Sequence, residues 1–338
     1  VVVRLRDGTL WVHAPLAPTE EFFELVEGCG DGTAQCVAHV VAPTYALEHK
    51  VFVKDALCRW PEARLWTAPG QFSFPVQQVP EAFVWGRAVS GELYGSDAAA
   101  SSAAIPWTDD IQFETLEAGT FRVGGATLTF FETVFYHMPS RSLVVTDCLA
   151  RVPLAPPPQR LDQDPTATRP GPDQDPPQPL DGEAVQKLLL ISKRSTADPL
   201  PADTAAARQA GWEKTALLVS YFFPEHEELD LEAGLGVVTW TDGWHDNFNA
   251  LAGRLLVPPV VRTLVYAQDP ARVKRWAERV AARWDFTQIV PAHWEAPVAA
   301  SPRDLERAFA FLGDETVDAF PAADLARGLK PIARIFVK

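Results

Sequence analysis

The chain is expected to fold as a layered α/β protein, and three stretches carry that expectation. Cys36–Ala42 reads as a short buried strand, His49–Trp60 as a helix and Ala63–Thr67 as the next strand. That alternation calls for a right-handed crossover within one sheet. Ile111–Asp147 reads as a strand-rich meander. Pro270–Trp284 is an amphipathic helix with Val273, Trp276, Val280 and Trp284 on one face, and it leads into the strand Gln288–Pro291.

The other elements follow in chain order. Val1–Val12 alternates as a β-hairpin about Asp7–Gly8, a favoured turn dipeptide. Pro18–Val26 is a helix opened by Thr19, with Glu20 and Glu21 in its first turn. Within the meander, Ile111–Leu116, Phe121–Val123 and Ala126–Tyr136 are strands broken by Gly124–Gly125, and Ser142–Asp147 is an apolar strand ending in a carboxylate. Pro153–Pro179, dense in Pro, Asp and Gln, reads as an exposed extended excursion. Val185–Ile191 fits a helix or a strand. Ala216–Phe223 reads as a buried strand, Asp246–Arg254 as a helix, Arg262–Val265 as a short strand and Pro302–Leu312 as a closing helix. With no solenoid or propeller repeat, residues 1–338 read as one elaborated domain.

A chain of 338 residues, 47% hydrophobic and 22% charged, can bury a large core. Its net charge of −14 argues against tracking a phosphate backbone, so no nucleic-acid partner is expected. No apolar run approaches the roughly 20 residues of a transmembrane helix. Cys29, Cys36, Cys58 and Cys148 show no C-x-x-C pairing and read as reduced core thiols.

Layered α/β folds gather functional side chains at strand ends, where the sheet fixes them and loops let them converge. Three such places stand out: Glu48–His49, Asp147 at the end of SLVVTD, and His293 in IVPAHW. Each also has a structural explanation. Glu48–His49 suits a helix N-cap, Asp147 suits a loop anchor accepting backbone N–H groups, and His293 suits a core histidine satisfied by Asp147 or Glu48. His245–Asp246 has the composition of a base and its orienting group, although adjacent residues rarely face each other. His13, His39, His137 and His226 read as structural, and Tyr45 as filling or lining a pocket. Trp66, Trp107, Trp212, Trp244, Trp284 and Trp294 fall near loop or strand ends, where a pocket or interface uses them, with core filling the default.

These segments resemble metallo-β-lactamase-fold hydrolases, whose first metal motif is H-x-H-x-D-H. Here Thr44 and Ala46 stand for its first two histidines, and Glu48–His49 for its Asp-His pair. ARLWTAPG resembles the strand after that motif. TFFETVFYHMPSRSLVVTD resembles the segment ending in the bridging Gly-Asp, with Thr146 in place of glycine, and IVPAHW resembles the final P-x-H motif. More narrowly, APTYALEHKVFV, APGQFSFP, FYHMPSRSLVVTD, GRLLVPP and PAHWEAPVAASP resemble domain-of-unknown-function family 4336, found in plants, algae, cyanobacteria and other bacteria.

The resemblance implies an αββα four-layer sandwich across nearly the whole chain. It implies Glu48, His49, Asp147 and His293 as ligands of the second metal, with Glu48 and Asp147 as the catalytic carboxylates. Ligands of the first metal are missing, since Glu132–Tyr136 offers no third histidine. The cofactor is then one divalent metal (Fe, Mn or Zn) or none. Four protein ligands around tetrahedral zinc leave no open position, whereas five- or six-coordinate iron or manganese keeps one.

Two functions follow from different classes. One is a weak metal-dependent hydrolase acting on a small carbonyl- or phosphate-containing substrate. Its rival is a catalytically inactive subunit of a larger plastid complex, with protein partners met through a tryptophan-rich surface or the proline-rich arm. Oxidative chemistry at a mononuclear iron is a third. The family resemblance and the absence of an initiator methionine point to the plastid (chloroplast), with a bacterial cytoplasm as the alternative.

Overall fold

The computed structural model describes residues 1–44, 46–69, 81–95, 105–123, 126–157, 182–313 and 320–336. The chain is a mixed α/β protein with two compact units. The first comprises Val1–Arg151, Leu255–Asp318 and Ala333–Lys338, and the second comprises Val152–Arg254 and Ala319–Ile332. Tyr45, Gly124–Gly125 and most of the proline-rich excursion lie outside the described residues.

The first unit is built on two five-stranded sheets. One runs in chain order: β1 (Val2–Arg4), β2 (Leu10–His13), β3 (Val37–Ala42), β4 (Arg64–Thr67) and β5 (Gly91–Glu92). Its first two strands form the expected antiparallel hairpin, and β2 through β5 are parallel neighbours. In the other, β6 (Ile111–Val123), β7 (Ala126–His137) and β8 (Ser142–Val145) form an antiparallel meander. Parallel to β8 lies β13 (Gln288–Pro291), which also pairs with β14 (Val298–Ala299). The expected break at Leu116–Phe121 is a bulge between Glu117 and Gly119 within one long strand. Chain order is kept by β9 (Ala150–Arg151) and β12 (Leu255–Leu256), which pair where the chain leaves this unit and returns to it.

Successive strand residues point to opposite faces, and here both faces are buried. Trp11, Val41 and Trp66 of the first sheet share one apolar cluster with Phe113, Phe135 and Val144 of the second. Their neighbours Leu10, Val12, Val40 and Leu65 face the other way, onto α1 (Glu20–Gly28), α2 (Val53–Arg59) and α3 (Glu81–Trp85). Val134, Leu143, Val145 and Ile289 face α7 (Pro259–Leu264), α8 (Pro270–Arg283) and α9 (Pro302–Ala308). Double burial is why these strands read as continuous apolar runs.

Local chemistry sets the helix boundaries. The Thr19 hydroxyl accepts the Phe22 N–H at 3.1 Å and starts α1. The Asp269 carboxylate accepts the Arg272 N–H at 3.0 Å, with Pro270 at the first position of α8. A buried carboxylate, Glu27, is held by Arg59 at 2.7 and 2.9 Å and by the Trp60 indole at 3.0 Å, tying α1 to the end of α2.

Three element assignments change. The predicted helix His49–Trp60 divides into a one-turn 3-10 helix at Leu47–His49 and α2, whose start has no side-chain cap. Ala216–Phe223 is not a strand but the last turns of α5 (Ala205–Tyr221), capped by Thr204 and preceded by α4 (Gly182–Ser192). Buried Glu213, Lys214, Ala216, Leu217, Ser220 and Tyr221 keep helical spacing, which the exposed Val219 hides in sequence. At Gly211 a Cβ would meet the Leu188 carbonyl, so α4 and α5 approach closely there. Arg262–Val265 likewise belongs to α7 and its end, because Pro259 opens a helix that buries Val261 and Val265 four residues apart.

The second unit also holds α6 (Trp244–Leu251) and the antiparallel pair β10 (Glu227–Leu229) and β11 (Val238–Trp240). Eight of the eleven tryptophans are buried and fill cores, and Trp212, Trp244 and Trp294 are half-buried. All four cysteines are free, Cys36 and Cys148 buried and Cys29 and Cys58 exposed, which corrects the expectation of four core thiols. Among the described residues no helix is long and apolar enough to cross a membrane.

Phe135 has no exposed surface and meets Trp11 edge-on at 4.9 Å within the cluster shared by the two sheets. Phe135→Ala should lower the unfolding free energy by about 3–5 kcal/mol, read by chemical denaturation. A loss under about 1 kcal/mol would contradict that packing role. His39, buried on β3, accepts the Trp66 indole N–H at 3.2 Å, and burial assisted by Arg64 lowers its pKa from 6.5 to about 4. Its contribution to stability is therefore full above pH 6.5 and lost as pH falls through about 4. In His39→Gln the decline of stability across that window should be shallower than in the parent; an unchanged slope would contradict the assignment.

Candidate metal centre

Three strand ends deliver the candidate residues. β8 and β13 are parallel with Val145 opposite Pro291, so Asp147 and His293 each lie two residues beyond the last paired position. The Ala292 N–H donates to the Val145 carbonyl at 3.0 Å and prolongs this register into the loops. His49 arrives on the 3-10 turn that follows β3. Trp294 has φ of 68°, a left-handed conformation rare for a bulky residue, directly after His293.

The donor atoms of Glu48, His49, Asp147 and His293 all lie within 4.8 Å of one another, and no other such group occurs among the described residues. Three of them are much closer. His49 Nε2 is 3.0 Å and His293 Nε2 is 3.2 Å from the same oxygen, Asp147 Oδ1. The two Nε2 atoms are 3.0 Å apart. Ligand bonds of about 2.0–2.2 Å separate neighbouring donors by roughly 3.0–3.5 Å, so this triangle fits a divalent cation. Glu48 is exposed, His49 and Asp147 are nearly buried, and His293 is 43% exposed, which leaves the centre open on one side.

Electrostatics follow from this arrangement. Burial alone would raise the Asp147 pKa, but hydrogen bonds from His293 and His49, with their charge, reverse that and hold the carboxyl below its usual range. The hydrogen bond to Asp147 raises His293 against an opposing effect of burial. Beneath them, Thr44 is fully buried, and its hydroxyl lies 3.4 Å from Asp147 Oδ2 while accepting the Ala46 N–H at 3.1 Å.

Sequence reasoning passed over Glu132 and read His13 as structural. Glu132 has no exposed surface, and its Oε1 accepts the N–H groups of Thr146, Asp147 and Cys148 at 3.2, 3.1 and 3.3 Å. Burial, then the charge of Asp147, pushes its pKa up to about 8. His13 is equally buried, with Nε2 3.1 Å from the Thr146 hydroxyl, and burial lowers its pKa well below the ordinary histidine value. A carboxylate inside the apolar strand TFFETVFY was the available signal for Glu132.

The other candidates are not part of this centre. His39 pairs with Trp66, His137 Nδ1 with Ser140 at 2.6 Å and His226 Nδ1 with Thr241 at 3.2 Å. His245 meets Glu213 rather than Asp246, because neighbouring residues on α6 point in different directions. Of the structural explanations, a helix cap does not apply to Glu48–His49, since no side chain caps α2, whereas His293 does meet Asp147, at 3.2 Å, as a satisfied core histidine would.

No curated protein and no solved structure matches the chain. A family described as "Domain of unknown function (DUF4336)" matches residues 1–311, which run through both units. The chain belongs to this DUF4336 family.

Proposed function

We propose that this chain is an αββα sandwich of the metallo-β-lactamase type that holds one divalent metal (iron, manganese or zinc). In this reading it is a mononuclear metal-dependent hydrolase acting on a small carbonyl- or phosphate-containing substrate. Two five-stranded sheets that share an apolar cluster, each with helices against its other face, support the architecture. The observation that carries the function is the triangle of His49 Nε2, His293 Nε2 and Asp147 Oδ1, with edges of 3.0 to 3.2 Å.

Glu48 belongs to the group but stands apart from the triangle as an exposed fourth donor. That split has a chemical consequence. Three protein ligands leave a position for substrate, whereas four around tetrahedral zinc close the site. A bound divalent ion would supply Lewis acidity toward a carbonyl or phosphoryl oxygen. The chain itself contributes the orientation of the two imidazoles, both turned to one buried carboxylate oxygen, and an exposed carboxylate at Glu48 that can hold a proton on the open side. Thr44, within 3.4 Å of Asp147 Oδ2, takes up space on the carboxylate's second oxygen and favours one metal over two.

A second reading, a catalytically inactive subunit, is favoured by one observation. In the second unit Leu229, Leu231 and Leu235 are 68%, 72% and 100% exposed on β10 and the turn after it, an apolar edge of the kind protein partners cover.

Elemental analysis of protein purified without chelator tests the metal-centre reading. The parent should carry close to one divalent ion per chain, and His49→Ala, Asp147→Asn and His293→Ala should each lose it. Glu48→Gln should retain it. A metal-free parent that also takes up no added Zn, Mn or Fe(II) would overturn the hydrolase reading and leave the subunit reading.

A further inference from the structure

Glu132 is a carboxylate with no exposed surface, in a strand whose neighbours are apolar or threonine. Such a group is costly to bury unless its position serves something. Its location in the sheet says what. β7 and β8 are antiparallel, with Phe135 opposite Val144. Continued three residues further, that register would set Glu132 opposite Asp147, but the backbone ladder stops first.

At that point the Glu132 side chain replaces the missing ladder. One oxygen, Oε1, accepts three consecutive backbone N–H groups, those of Thr146, Asp147 and Cys148. Three successive amides converging on one oxygen form a backbone nest. A nest fixes the dihedral angles of the residues that make it, and the middle residue here is Asp147. The Glu132 backbone also pairs with Thr44, whose hydroxyl reaches Asp147 Oδ2. The residue thus meets the Asp147 loop through its side chain and the loop after β3 through its backbone.

We propose that Glu132 is a positioning residue for the metal centre: its Oε1 holds the 146–148 turn so that Asp147 Oδ1 faces His49 and His293 together. The inference rests on the metal-centre reading above. What matters is the reach of an acceptor oxygen across the gap left by the ladder, not the negative charge. Two conservative variants separate these. Glu132→Gln keeps an oxygen at the same reach and removes the charge, whereas Glu132→Asp keeps the charge and withdraws the oxygen by roughly one carbon–carbon bond, about 1.5 Å.

The test is titration of each protein with Co(II), following the visible ligand-field spectrum and the dissociation constant, with near-ultraviolet circular dichroism as the measure of fold. Glu132→Gln should keep the parent's spectrum and bind within about threefold of it. Glu132→Asp should bind Co(II) at least about tenfold more weakly with an altered spectrum, the range seen when residues that orient metal ligands are changed. A purely structural role would lower melting temperature but leave the spectrum of the bound ion unchanged. The inference is overturned if Glu132→Asp matches the parent in affinity and spectrum. It is equally overturned if Glu132→Gln does not fold or loses binding as severely as Glu132→Asp. A parent that gives no Co(II) spectrum instead removes the metal-centre reading, and this inference falls with it.

Discussion

Asp147 is a carboxylate taken out of water at the rim of a sheet, and the arrangement of the first unit around it follows from the need to satisfy that charge. A buried ionised group is tolerated when it is paired and hydrogen-bonded. Here one oxygen meets two imidazoles and the other lies near the Thr44 hydroxyl, while the backbone that carries the residue is held by Glu132. The partners come from three separate stretches of chain. Each side chain is individually unremarkable, and the cluster exists only where the strand ends meet.

The sheets make that meeting inevitable once they pair. Because β8 and β13 are parallel and in register, residues two positions beyond their ends emerge side by side. Packing of both sheets on one shared aromatic cluster brings the end of β3 to the same place, and the isolated pairing of Thr44 with Glu132 joins the two rims. Rigid strands therefore set the donor positions, and short turns supply only the last residue or two. A site built this way is preorganised, and an ion entering it would not have to order the loops first.

Much of this was legible in the residues. The hairpin at Asp7–Gly8, the Thr19 cap and the amphipathic stripe of α8 follow local rules that tertiary context did not override. Glu48, His49, Asp147 and His293 were found because each ends or follows a strand, and the structure brings those four together. The errors have a common cause. Ala216–Phe223 and Arg262–Val265 are short apolar runs whose period is blurred by an exposed valine or by a leading proline, so local hydrophobicity alone mistook helix for strand. Glu132 was missed for another reason: its importance comes from partners more than ten residues away, across a ladder that stops short, which no local pattern encodes.

The central claim is that His49, Asp147 and His293 form a cation site and not merely a hydrogen-bonded cluster. Anomalous X-ray scattering from a crystal equilibrated with Mn(II) or Zn(II) tests it most directly. The account predicts one anomalous peak about 2.0–2.2 Å from His49 Nε2, His293 Nε2 and Asp147 Oδ1. A featureless map there, with the imidazoles still bonded directly to Asp147, would contradict it.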